Sequence, residues 1–184
     1  MTIAIAIVVL VVAITFAVAA MKPDALFIQR EARIKATPDT IYALVSDFHR
    51  WGSWAPQDKM DPTMKRTYSG ASDGVGAVSE WDSRGRAGRG RMQITEASAP
   101  TRVTVRVDFI KPFEAHNVNE FKFEPEGDGT KVTWAMYGTN VYMIKVMSVF
   151  FNMDRMLGKH FEAGLRDLKS AAEMQTTAQQ HPGH

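Results

Sequence analysis

The chain has no cysteine, and its first 21 residues carry no charge. The first absence excludes disulfides, thiolate metal sites and a cysteine nucleophile, and it is compatible with either redox environment. Other chemistry is missing too. Ser69 and Ser79 lack a Gly-x-Ser-x-Gly setting, Gly74-Val75-Gly76 is not followed by the third glycine of a dinucleotide fingerprint, and no Walker-type lysine occurs. His49, His116 and His160 stand apart, with no zinc-type His-x-x-x-His or His-Glu-x-x-His spacing, so neither a metal nor a cofactor is implied. Neither sign of charge dominates. The 22 Lys+Arg face 20 Asp+Glu, a formal net of +2, which makes no general case for a nucleic-acid partner. There is no internal repeat.

The charge-free segment is itself a signal. Met1–Met21 is a run of Ile, Val, Ala, Leu and Phe broken by Thr2 and Thr15. A helix rises about 1.5 Å per residue, so roughly 20 such residues match a hydrocarbon core of about 30 Å. Ala17-Val18-Ala19 has the small-x-small form of a signal-peptidase site. Against cleavage, no Lys or Arg precedes the run, which also exceeds the usual apolar core of a signal peptide, about 7–15 residues. The reading is a retained single-pass anchor over 1–21, with a signal sequence as the alternative. Lys22, Arg30, Arg33 and Lys35 follow the run, and cationic flanks place the C-terminal domain in the cytoplasm. Residues 22–26, with Pro23 and Asp24, form a linker; 27–173 is one domain with room for a sizeable core; 174–184 is a disordered tail, on which His181 and His184 read as inert.

Within the domain, Phe27–Ala36 alternates as a strand. Thr37-Pro38-Asp39 then opens a helix, with Thr37 as N-cap, and Asp47–Pro56 reads as a second short helix. Strands follow over 65–69, 75–82, 88–97, 102–109, 115–124 and 131–137, separated by turn sequences such as Ala99-Pro100 and Lys111-Pro112. Strands at this spacing without helices between them predict an antiparallel meander. From Val141 the apolar period becomes helical through Met143, Val146, Met147, Phe150, Met153, Leu157, Phe161, Leu165 and Leu168. One long C-terminal helix is predicted, weakened or bent at Gly158 and Gly164.

That order, and several motifs, carry a resemblance. Ile34-Lys-Ala-Thr-Pro-Asp39 leads into the first helix, and Asp47-x-x-x-Trp51-x-x-Trp54-x-Pro56 follows it. Asp61-Pro62, Tyr68-Ser69-Gly70 and Gly74-Val75-Gly76-Ala77-x-x-x-Trp81 continue the pattern. Gly129-Thr-Lys-Val-Thr-Trp134 and Gly158-x-x-Phe161-Glu162-x-Gly164-Leu165-x-x-Leu168-Lys169 close it. Over residues 27–173 the chain resembles the SRPBCC superfamily, the START and pollen-allergen-like helix-grip proteins, and within it the bacterial polyketide cyclase/dehydrase and lipid transport type. The resemblance implies an α+β helix-grip fold, a curved antiparallel sheet wrapped around the long helix with a ligand cavity between them. It also implies a hydrophobic small molecule (lipid, isoprenoid or quinone) as partner.

Strand parity then nominates the lining. Ala77, Ser79 and Trp81 share a face, as do Gly88, Gly90, Met92 and Ile94, then Val103, Val105, Val107 and Phe109. Phe121 and Phe123 bring Asn117 and Asn119 inward, and Val132, Trp134 and Met136 complete the set. Gly88 and Gly90 are expected to leave room, and the two amides to orient a polar headgroup among apolar walls. Ligand contacts are thus expected at Trp81, Gly90, Met92, Asn117, Asn119, Phe121, Trp134 and Met136. Trp51 and Trp54 are expected to pack the short helices onto the sheet rather than to plug the cavity mouth.

Two further features bear on function. Arg84, Arg86, Arg89 and Arg91 fall within eight residues without interleaved aromatics, which favours anionic lipid over RNA. His116, beside Asn117 and Asn119, is the remaining acid–base candidate, the basis of an alternative reading as a cyclase or dehydratase. A third alternative is an interaction module working through the arginine run.

Overall fold

The computed structural model describes residues 2–57, 61, 63–85, 87–139, 142–150 and 152–180. Pro62, Arg86, Val141, His181 and His184 lie outside the described residues, as do the side chains of Met143, Met147 and Met153.

Helix α1 (Thr2–Ala20) is apolar on every side, and Ile3, Leu10 and Ile14 remain exposed, so it is no core helix of the domain. It is long and apolar enough to cross a bilayer, a property that a signal sequence shares. Strand β1 (Ala25–Ile34) follows. Helix α2 (Pro38–Val45) starts where Thr37 Oγ1 accepts the Thr40 N–H at 3.3 Å, with Pro38 in the first turn where it costs no hydrogen bond. A 3₁₀ helix (Phe48–Ser53) is capped by Asp47, whose carboxylate accepts the His49 N–H at 2.9 Å.

Six strands come next: β2 (Lys65–Gly70), β3 (Ala77–Asp82), β4 (Arg89–Ser98), β5 (Arg102–Lys111), β6 (Ala115–Glu126) and β7 (Gly129–Thr139). All pairs are antiparallel in the order β1-β7-β6-β5-β4-β3-β2, so a meander closes with β1 beside β7. β1 and β2 are the two outer strands. Register places one set of strand ends together. Ala25 pairs with Thr139, Phe109 with Ala115, Arg89 with Lys111 and Lys65 with Asp82. The exit of α1 and the β3–β4 and β5–β6 turns therefore share one end of the sheet.

The single C-terminal helix expected from Val141 is two. Helix α3 (Tyr142–Phe150) packs along α1 instead of gripping the sheet. Lys22 Nζ donates to the Ser148 carbonyl at 2.9 Å, and buried Lys145 pairs with Asp24. Asn152 explains the break: its side chain accepts the Arg155 N–H at 2.9 Å and caps a new helix.

Helix α4 (Met153–Gln180) runs unbroken through Gly158 and Gly164, and past residue 173 into the stretch expected to be disordered. Thr176 and Thr177 return hydroxyl hydrogen bonds to the carbonyls of Ala172 and Glu173 there. Both glycines serve packing. A Cβ at Gly158 would collide with the Arg30 guanidinium, and one at Gly164 would press on Trp134 and Pro56. Arg30 in turn binds Asp154 at 3.1 Å and Glu162 at 2.9 Å, tying the start of α4 to β1. Farther along, Lys169 Nζ donates to the Arg33 carbonyl and the Lys35 N–H donates to Glu173. The core lies between α4, the two short helices and the concave face of the sheet.

Candidate functional site: the interior of the grip

The alternation that defines the concave face holds strand by strand. Ala77, Ser79, Trp81, Met92, Ile94, Val103, Val105 and Val107 are buried, as are Asn117, Asn119, Phe121, Phe123, Val132, Trp134 and Met136. Phe109 is partly buried against the same cluster. Glu80 and Asp82, of opposite parity to Trp81, are exposed.

Aromatic side chains fill much of this interior. Trp134 stacks on Phe161 of α4 at 4.2 Å between ring centroids and lies 4.9 Å from Phe121. Trp51 and Trp54 pack edge-on against Phe121 and donate to the carbonyls of Val45 and Leu44. They are structural, as expected. Trp81 meets Phe109 at 5.6 Å and donates to the Ala87 carbonyl at 2.9 Å.

The two glycines expected to open a void do not. A Cβ on Gly90 would collide with the Trp81 ring, and one on Gly88 with the Lys111 carbonyl. Both residues are glycine because protein atoms already occupy the space. Two grooves among the described residues lie over the last turns of α4, one bordered by Ser170, Met174 and Ala178 and the other by Lys35, Asp128 and Thr176.

Against that packing, three polar atoms stand out. Asn117 Oδ1, Asn119 Oδ1 and Trp134 Nε1 are buried and have no hydrogen-bond partner among the described residues. Asn119 pairs across the β6–β7 ladder with Met136, and Trp134 with Phe121, so the three atoms belong to one patch of the concave face. The other three tryptophans each find a carbonyl, which makes the idle indole N–H of Trp134 the exception. A buried polar atom left unmatched costs about 1–3 kcal/mol. Gly138, opposite Asn117, was missed by parity reasoning. A Cβ there would collide with Asn117 Oδ1, so Gly138 admits the amide. Counting the register outward from the Phe121–Trp134 pair locates it. Ser79, on the same face, is not idle, since its hydroxyl accepts from Arg66 at 3.0 Å.

His116 is not part of this interior. The alternation that turns Asn117 in turns His116 out, and its side chain is 66% exposed. There its ring lies 2.8 Å from the Asp108 carboxylate and 3.5 Å from Glu114, and the hydrogen bond to Asp108 raises its pKa above the ordinary histidine value. An acid–base role in the grip is closed to it by geometry. In the arginine run, Arg84 and Arg89 are exposed, whereas Arg91 lies 3.9 Å from Glu80 and 3.3 Å from Gln93.

A curved seven-stranded antiparallel sheet closed over a long C-terminal helix defines the helix-grip class. The chain belongs to the polyketide cyclase / dehydrase and lipid transport family, whose model matches residues 27–173. No curated protein matches it. Solved structures share the fold. SA2116 from Staphylococcus aureus, a protein of unknown function, superposes with a TM-score of 0.62 at 14% identity, over 84% of this chain and 97% of that one. The di-domain ARO/CYC StfQ from the steffimycin biosynthetic pathway gives 0.61 at 10% identity, over 84% of this chain and 52% of that one. The Aha1 dimer from Colwellia psychrerythraea gives 0.54 at 18% identity, over 80% and 96%. At these identities the likeness is one of fold.

Proposed function

We propose that this chain is a membrane-anchored binding protein for a hydrophobic small molecule of the lipid, isoprenoid or quinone class. Helix α1 holds it in the bilayer, the domain lies on the cytoplasmic side, and the ligand is sequestered between sheet and α4. The observation that carries this reading is the unmatched trio of Asn117 Oδ1, Asn119 Oδ1 and Trp134 Nε1. One donor and two acceptors, walled by Phe121, Met136 and Met92, suit a ligand with a small polar end and an apolar body. Trp81 and Met136, each 7% exposed, are less deeply buried than Phe121 at 0%, so the wall loosens toward the strand ends nearest α1. Ligand there would displace side chains, Met136 most readily because methionine is flexible. Burial contributes about 25 cal/mol per Å² of apolar surface. The reading needs no cofactor. His116 lies outside the grip, which leaves the cyclase or dehydratase alternative without its acid–base group.

The test is organic extraction and mass spectrometry of the full chain purified from its host membrane, beside the Asn117→Leu, Asn119→Leu and Trp134→Phe variants. A stoichiometric apolar compound in the wild type, depleted in variants that remain folded, is the expected result. A wild-type chain that carries nothing and takes up no added lipid or quinone overturns the proposal.

A further inference from the structure

The end of the sheet where α1 exits also carries two turns that touch each other. The β3–β4 turn closes with the Ser83 N–H donating to the Gly88 carbonyl at 2.8 Å. Gly88, at φ 61°, lies against the Lys111 carbonyl of the β5–β6 turn, and Arg89 pairs with Lys111 across the ladder. The two turns therefore form one platform. Among the described residues of the two turns, Arg84, Arg89 and Lys111 are exposed cations. Beside them, Ile110 and Phe113 are 49% and 51% exposed, apolar side chains at a turn where water gains nothing from them. Three acids lie beside them: exposed Asp82, Asp61, whose carboxylate accepts from Ser83 Oγ, and Glu114, 3.5 Å from His116.

We propose that this platform seats on the surface of the anionic phospholipid bilayer that α1 enters, with Arg84, Arg89 and Lys111 at lipid phosphates and Phe113 and Ile110 in the interfacial layer. Three observations converge on that occupant rather than on a protein or nucleic acid. The platform lies at the end of the sheet that the anchor enters, where only the four residues between Ala20 and Ala25 separate α1 from β1. Exposed cations share it with the exposed Ile110 and Phe113, a composition that suits a headgroup boundary. Helix α3 also lies at this end, against α1. The inference rests on the anchored reading above and deepens it: the looser part of the grip, near Asn117 and Trp81, would face lipid directly, so an apolar ligand need not cross water.

The chain has no cysteine, so single labels are clean. The full chain is reconstituted with an environment-sensitive fluorophore at Phe113→Cys, or at Thr101→Cys in the β4–β5 turn of the opposite end. Vesicles are phosphatidylcholine alone or mixed with phosphatidylglycerol, each with a lipid-tethered quencher. In mixed vesicles the position-113 label is expected to shift to the blue and lose emission to the quencher, while position 101 does neither. Arg84→Ser with Arg89→Ser should weaken seating by roughly fivefold per arginine, and high salt should act in the same direction. A position-113 label as open to aqueous iodide in mixed vesicles as in neutral ones overturns the proposal, as does indifference to both arginines. Extraction of bound ligand is scored separately, so a solvated platform on a ligand-loaded chain sinks this inference and leaves the binding reading standing. A chain that fails to float with vesicles removes the anchor and, with it, this inference.

Discussion

The indole of Trp81 occupies the space that a side chain on Gly90 would need, and the two residues face each other directly across β3 and β4. A missing side chain on a concave face reads as room for a ligand; here it is room for a neighbour. Substitution at residue 90 therefore probes packing.

Gly90→Leu is expected to destabilise the folded chain by about 1–3 kcal/mol, the usual cost of forcing a side chain into a filled core. Trp81→Ala in the same chain should recover part of that loss, because the collision is with this ring. Denaturant midpoints of the two single variants and the double close the cycle. Simple additivity would show that the two residues do not share the space.

Asn117→Leu and Asn119→Leu should act in the opposite direction on the ligand-free chain. Each removes a buried carbonyl oxygen without a partner among the described residues and nearly keeps the volume of the side chain, so each is expected to raise stability, by up to about 1–3 kcal/mol. The same variants are expected to lose bound ligand. Stability gained with binding lost is the signature of polar groups kept for function. Destabilised variants would instead mean that these atoms have partners in the working protein.

Two histidines should titrate on opposite sides of the ordinary value of 6.5. His116 is raised, first by its hydrogen bond to Asp108, and His160 is lowered by burial. A raised value means that the His116–Asp108 contact stabilises fully below about pH 6.5 and fades as pH rises through the folded midpoint. For His160 the contribution is present above about 6.5 and is lost as pH falls through its lower folded midpoint. Ring-proton NMR titration reads both directly. Asp108→Asn should bring His116 down and leave His160 alone; a His116 midpoint at or below the reference would contradict the contact.

Most of the sheet was legible because one rule, alternation, acts on every strand. Once Trp81, Phe121 and Trp134 are taken as inward, parity places Asn117, Asn119 and Met136 beside them, and His116 outside. What parity does not report is whether the enclosed space is filled. That depends on ring orientation, as at Trp81 over Gly90, and on contacts between distant segments, as at Gly158 under Arg30. The break at Asn152 was hidden for a similar reason. Helical periodicity continues across it, and only the cap geometry separates α3 from α4.

The outer strand β2 has a consequence for crowding. In the anchored state proposed above, a chain confined to a membrane plane would meet other copies of itself far more often than one free in three dimensions. An unpaired strand edge is then a standing invitation to join sheets. β2 is only six residues long, opens with Lys65 and Arg66, and ends at Gly70, where φ reaches 76° and the extended path stops. A margin this short, with Lys65 exposed at its start and a left-handed glycine at its end, gives a second copy little edge to extend, which favours a domain that stays a separate unit.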